Sequence, residues 1–238
     1  VRAAFSYFST LPVGATAAPG TRTLVYLPLV GATVGALAGT LGWLVSLVGP
    51  HVLVVAVTFG SSIALTGALH VDGFLDASDA LFASVSPQRR LEIFDDPHHG
   101  TFAIAAFAVA TVVWLAALWS IDAPRLPLGL AFAAAAARWI TVSVSRRLPY
   151  AGTTVAPERA GETRSTRGVH VAMGMLTLLL GWSYWGHAVL LVALGGLTFA
   201  TAAWMKDRLG GALTGDCYGF LIVATEVAIL VGLPFTSR

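Results

Sequence analysis

Residues 70–79 read His70-Val71-Asp72-Gly73-Phe74-Leu75-Asp76-Ala77-Ser78-Asp79, with three carboxylates at i, i+4 and i+7. At about 100° per residue, a helix here sets Asp76 about 40° and Asp79 about −20° from Asp72, so all three share one narrow face. Like charges at that spacing repel, and no Lys or Arg occurs between Arg22 and Arg89 to offset the cost. A divalent cation would offset it; carboxylate oxygens suit the hard ions Mg²⁺, Mn²⁺ and Ca²⁺. The competing explanation is a solvated acidic face. Such a face normally mixes in Lys, Ser or Gln, whereas this one adjoins Phe74, Leu75, Leu81 and Phe82. His70 falls about 160° from Asp72 in the same register, away from the carboxylates, which leaves structural and functional roles equally open.

Three further groups carry chemical potential. Asp95-Asp96-Pro97 precedes an apolar stretch; Pro97 suits the first turn of a helix and Asp96 its N-cap, while adjacent acids could also complete a metal site. Gly210-Gly211-Ala212-Leu213-Thr214-Gly215-Asp216 enters another apolar stretch. Its glycines would let backbone N–H groups approach a phosphate at a helix N-terminus; the alternative is a turn with Asp216 as N-cap. Arg138 and Glu226 lie inside apolar stretches, where a charge is expensive and must face protein or a cavity. A structural ion pair and a functional site are equally open, although an Arg near phosphates is chemically sensible.

The elements that must position these groups are membrane helices. The 238-residue chain is 56% hydrophobic and 11% charged, with a mean hydropathy of +0.78, whereas a soluble domain carries about 25% charged residues. That excludes a water-soluble globule and a disordered chain. Cys217 is the lone cysteine, which excludes a disulfide scaffold, and a net charge of +2 gives no reason to expect nucleic acid. A span needs about 20 apolar residues, and seven stretches come close: Leu24–Gly49, Val52–Leu69, Thr101–Ile121, Leu126–Ser145, Val169–Trp185, Ala188–Trp204 and Tyr218–Leu233. Gly174, Gly181 and Ser183 dilute the fifth, and Trp185-Gly186-His187 leaves little room for a turn. The expectation is an all-α polytopic protein of six to seven transmembrane helices. It forms a single domain over 1–238, with an acidic connection at 70–100 and a second motif at 205–219. With seven spans, eleven Lys and Arg fall on the N-terminal side (Arg2, Arg22, Arg89, Arg90, Arg146, Arg147, Arg159, Arg164, Arg167, Lys206 and Arg208) against Arg125 and Arg238 on the other. This bias places the N-terminus and the clustered acids in the cytoplasm. Residues 1–23 show no cleavable signal peptide, and Phe5–Leu11 with Arg2 suits a short interfacial segment. Gly31, Gly35 and Gly39 have the small-xxx-small spacing of close helix packing.

The motif order resembles the cobalamin synthase family, membrane-bound adenosylcobinamide-GDP ribazoletransferases, nearly end to end. The resemblance rests first on Gly67 to Leu81, which matches the family's H-x-D-G-x-x-D-x-x-D pattern. Phe8-Ser-Thr-Leu-Pro12, Pro28-Leu-Val-Gly31, Arg90-Leu-Glu92-Ile-Phe-Asp95-Asp96, Ala137-Arg138-Trp139, Leu148-Pro149-Tyr150-Ala151, Thr214-Gly215-Asp216 and Thr225-Glu226 add to it. His98 stands where the family has Arg, and Ala212 where it usually has a second Gly. The resemblance implies that a ribose hydroxyl of α-ribazole, or of its 5′-phosphate, attacks adenosylcobinamide-GDP. GMP leaves, and adenosylcobalamin or its 5′-phosphate is formed. It implies Mg²⁺ held by Asp72, Asp76 and Asp79 with Asp96 as a further ligand, Asp79 as base beside Asp76, and Arg138 steadying charge. It also implies substrate contacts from His70, Gly73, Thr214, Gly215 and Asp216. The implied setting is the cytoplasmic face of the cell membrane, with the lipid bilayer as partner and a homo-oligomer left open. A CDP-alcohol-type phosphotransferase acting on a lipid alcohol is the first alternative. An ion-coupled transporter is a weaker one, because the acids crowd one rim instead of the bilayer midplane.

Overall fold

The computed structural model describes residues 1–14, 21–151, 164–183 and 187–236, and apart from one isolated bridge between Tyr150 and Leu213 the regular structure among them is helical. In chain order the helices are α1 (Arg2–Phe8), α2 (Thr21–Leu24), α3 (Leu27–Ser46), α4 (His51–Leu65), α5 (Leu69–Phe82), α6 (Pro87–Phe94), α7 (Thr101–Trp119), α8 (Leu126–Ser145), α9 (Arg164–Leu180), α10 (His187–Arg208) and α11 (Gly215–Thr236). Arg159, Arg238 and Gly186 lie outside the described residues.

The bundle is organised around α8, whose Ala133–Ala137 run is fully buried together with Leu126, Leu130 and Phe132. Small residues there let neighbours close in. On α3, Gly31, Gly35 and Gly39 lie directly against the α8 backbone: a Cβ at Gly31 would stand 2.6 Å from the Ala134 carbonyl oxygen, and Cβ atoms at Gly35 and Gly39 would overlap the carbonyls of Leu130 and Leu126. The glycine stripe therefore sets the interhelical distance, as its spacing predicts. By contrast α7 and α9 turn Ile104, Val109, Val112, Met175 and Leu179 outward, as helices facing lipid do.

Five helices are long and apolar enough to span a membrane, or six if α4 and α5 are taken as one broken span. Seven spans are therefore not found among the described residues. The stretch Val52–Leu69 is not a straight span: α4 ends at Leu65, and α5 leaves it at 86°. Gly67 and Ala68 make the corner with φ of 60° and 59°, a left-handed conformation that terminates a helix. The fifth stretch, Val169–Trp185, stays α-helical only as far as Leu180: α9 runs Arg164–Leu180 and passes into a 3₁₀ turn at Gly181–Ser183, at two of the residues that dilute it.

The helix ends sort cleanly. At one end His51 Nε2 lies 3.1 Å from the Trp119 carbonyl oxygen, joining the start of α4 to the end of α7. At the other, Thr10 N donates to the Leu65 carbonyl at 2.9 Å, joining the N-terminal segment to the end of α4. This second end also gathers α5, α6, the first turns of α7 and α11, and the end of α8. There Leu213 N donates to Pro149 O and Ala151 N to Leu213 O, both at 2.9 Å. All the acids of residues 70–100 and Asp216 lie at this end, and α5 runs across the spans instead of along them.

Candidate active site

α5 carries the three carboxylates on one helical face as their spacing requires, but their surroundings differ. Asp72 is exposed, Asp76 half-buried and Asp79 buried. The gradient follows from what the helix lies on. Ala77 and Leu81 pack with Cys217 and Leu221 of α11, and Phe74 stacks on Phe220 with ring centroids 4.8 Å apart. The two helices cross at Gly73 and Gly219: a Cβ at Gly73 would stand 3.0 Å from the Asp216 Cα, and one at Gly219 3.0 Å from the Gly73 Cα. That close approach brings Asp216, 144 positions away in the sequence (216 − 72), beside the α5 acids.

Asp79 has a distinct occupation. Its Oδ2 accepts from Gly100 N, and its Oδ1 accepts from Ala103 N at 2.9 Å. It thus satisfies two of the donors that the start of α7 leaves open. This corrects the expectation that Asp96 caps the third span from a helix containing Pro97. The helix starts later, at Thr101. Asp96 is exposed, and its Oδ1 instead accepts from His98 N at 2.9 Å and faces His98 Nδ1 at 3.0 Å. Those two bonds hold its carboxyl below the usual carboxylate range. Asp216 is likewise not an N-cap: α11 begins at Gly215, and Thr214 stands at the cap, its Oγ1 facing Cys217 N at 3.5 Å.

Asp76 sits among uncompensated charge. Burial first, then the negative charges of Asp72 and Asp216, push its carboxyl up to about 6, against a smaller opposing effect from His99. His99 Nδ1 stands 3.3 Å from Asp76 Oδ1. Sequence reasoning did not single out His99; its neighbour relation to Asp76 spans 23 positions (99 − 76) and leaves no local signal.

Beside this cluster opens a cavity of about 540 Å³, walled by Tyr7 and Phe8 of α1, His70 and Gly73 of α5, Phe94 and Asp95 at the end of α6, Tyr150, and Thr214, Gly215 and Asp216. Five residues expected to contact substrate therefore meet in one space. His70 is buried, with Nε2 lacking a hydrogen-bond partner, and Phe8 stacks beside it at 6.3 Å. Tyr150 and Tyr218 stack in parallel at 5.8 Å on the same cavity wall, a role that the Leu148–Ala151 segment does not reveal by sequence alone. Arg138 does not line the cavity. Its Nη1 donates to Glu226 Oε2 at 2.7 Å and to Ala134 O at 3.0 Å inside the bundle.

Among the described residues no three His, Cys, Asp or Glu side chains converge closely enough to cage an ion by themselves. Mg²⁺ seldom uses such a cage: it takes one or two carboxylates and completes its shell with water and substrate phosphates. Asp72, Asp76 and Asp216 supply that donor set, all oxygen, with mutual repulsion that a bound cation would relieve. The residues present fit a hard divalent ion shared with a phosphorylated substrate.

The cobalamin-5-phosphate synthase family matches residues 1–234 of the chain. A protein of Deinococcus radiodurans named adenosylcobinamide-GDP ribazoletransferase is 37% identical, over 95% of this chain and 82% of its own. Proteins of the same name from Desulfitobacterium hafniense and Stutzerimonas stutzeri are each 32% identical, covering 93% and 97% of this chain and 89% and 95% of their own. No solved structure matches.

Proposed function

The chain belongs to the cobalamin-5-phosphate synthase family, and from that membership we propose how the carboxylate rim serves the reaction. The activity is that of an adenosylcobinamide-GDP ribazoletransferase in cobalamin biosynthesis, carried out by a multi-pass membrane protein. The acceptor is α-ribazole or its 5′-phosphate. A ribose hydroxyl oxygen bonds to the cobinamide-side phosphorus, the bond from that phosphorus to the bridging oxygen breaks, and GMP leaves with the electron pair. The hydroxyl proton passes to a carboxylate.

The reading rests on one observation above others: the Gly73–Gly219 crossing gathers Asp72, Asp76 and Asp216 beside a cavity that, among the described residues, no Lys or Arg lines. Asp76 with one of Asp72 and Asp216 would hold Mg²⁺ against the diphosphate; when bound, the ion would stabilise charge developing on the phosphate oxygens. Asp76, whose carboxyl is raised to about 6 in the cation-free fold, would gain most from the ion's charge, and the hydroxyl proton would go to a rim carboxylate that the ion leaves free. Asp79, with both oxygens engaged by backbone N–H groups, holds α7 against α5 and so fixes the rim. Thr214 and Gly215 border the cavity at the first turn of α11, where a helix N-terminus favours phosphate. Arg138 acts from behind, tying α8 to α11 through Glu226. The rim faces the cytoplasm of the cell, in keeping with the Lys and Arg bias of the connections.

The test is direct. Full-length protein in detergent, given adenosylcobinamide-GDP, α-ribazole and Mg²⁺, releases GMP; EDTA stops the release, and Asp76→Asn removes at least about tenfold of the rate. Undiminished release in EDTA would overturn the metal assignment.

A further inference from the structure

Beyond the C-terminal end of α5 lies a second concentration of charge, of opposite sign. Arg90 of α6 and Arg208 at the end of α10 converge on one acceptor, the Ala83 carbonyl oxygen, with Nη2 distances of 2.9 Å and 3.4 Å. Arg90 is only 7% exposed. The Nε of each guanidinium is buried and has no hydrogen-bond partner among the described residues. Among the described residues no carboxylate lies within ion-pair distance of either group. Burial, then the charge of Arg208, lowers the Arg90 guanidinium from its ordinary range.

Helix capping does not account for this arrangement. A cation at the end of α5 is favourable, and the Ala83 carbonyl can accept from both guanidinium groups, but one charge already serves that end. The second adds repulsion and leaves donors unused. Each guanidinium offers five N–H groups in a planar fork that matches phosphate oxygens. Arg208 is held over the Trp204 ring at 5.2 Å, and Phe82 packs on Trp204 at 6.1 Å, which fixes the fork's plane. Ala83 follows Asp76 by seven residues, about 10 Å along a helix, and Arg90 is one turn from Phe94 and Asp95 on the cavity wall.

We propose that Arg90 and Arg208 form a phosphate-binding site that takes either the phosphate of a phosphorylated acceptor nucleotide or the headgroup phosphate of an anionic lipid. The nucleotide source rests on the transfer reaction proposed above; the site itself does not.

Thermal melting of the full chain in detergent, titrated with inorganic phosphate against chloride at matched ionic strength, tests the site. Phosphate raises the wild-type midpoint in a saturable way, and Arg90→Gln or Arg208→Gln removes the shift. Arg90→Lys and Arg208→Lys keep the charge and the cap but lose the fork, so less than half of the shift remains; these variants carry the test if the Gln variants fail to fold. Absence of a wild-type shift, or an equal shift in all variants, overturns the site. The sources then separate. If the acceptor supplies the phosphate, the ratio of kcat/KM for α-ribazole 5′-phosphate over α-ribazole falls at least about tenfold in Arg208→Gln. If lipid supplies it, that ratio stays constant, and the midpoint rise on adding phosphatidylglycerol to phosphatidylcholine nanodiscs is lost instead. Should the wild type transfer to neither acceptor, the reaction proposed above fails, while the phosphate titration still decides the site.

Discussion

Arg138–Glu226 and the Asp72–Asp76–Asp216 cluster are both charges in or against a membrane bundle, and they are treated oppositely. Arg138 and Glu226 are buried with opposite sign, 2.7 Å apart, and Arg138 also finds a backbone carbonyl. The carboxylates share one sign, lie at an open rim and, among the described residues, have only the His99 side chain as a nearby base. A charge that brings its own partner is part of the scaffold. A charge left without one stores an electrostatic cost that a ligand can relieve, and the carboxylates invite a cation and a phosphorylated substrate. Asp79 stands between the two cases: it belongs to the carboxylate face, yet backbone N–H groups supply its partners.

The comparison breaks most sharply at Glu226. Glu226→Ala leaves the Arg138 charge buried and unpaired, which costs about 3–5 kcal/mol. Denaturant unfolding in mixed micelles should show a loss of that size, with most of it recovered in Arg138→Met/Glu226→Leu. Asp76→Asn does the reverse. It lowers GMP release at least about tenfold through loss of a cation ligand, while the same unfolding assay finds stability unchanged or higher, since one repelling charge is gone. A stability loss without an activity loss at Asp76 would place it with Arg138 as scaffold. Asp79→Ala removes a helix cap and costs about 1 kcal/mol, read as faster hydrogen exchange confined to the first turn of α7.

The pH dependence reads the same cluster without a substitution. Asp76 titrates at about 6 in the fold, against 3.8 for an ordinary aspartate. Between those values the folded state binds more protons than the unfolded state, so stability falls as pH rises through that window and levels off above it. Without divalent ions the melting midpoint should drop from pH 4 to pH 6. Mg²⁺ should raise the midpoint at pH 7 and have little effect at pH 4, where the proton occupies the site.

The difference between the two charge sets was partly legible beforehand. The shared face of Asp72, Asp76 and Asp79 follows from helical spacing alone, and the cost of a lone charge in lipid made an Arg138–Glu226 pair one of two readings. The bend before α5 was hidden because Leu65, Ala68 and Leu69 continue the apolar stretch and only Thr66 and Gly67 interrupt it; the left-handed φ of Ala68 has no residue-type signature. Asp79 and Asp96 were confused for a related reason. A cap is normally sought within four residues of a helix start, yet Asp79 reaches α7 from 21 residues away. The Gly73–Gly219 contact that adds Asp216 to the cluster is likewise a property of packing, and neither glycine announces its partner.

Manganese paramagnetic resonance on the detergent-solubilised full chain, with GDP standing in for the diphosphate of the substrate, addresses the unpaired carboxylates most directly. Titration should remove free Mn²⁺ signal in the wild type, lose that capacity in Asp76→Asn, and retain it in Glu226→Gln wherever that variant is folded. Mn²⁺ uptake by Asp76→Asn equal to that of the wild type would contradict the account.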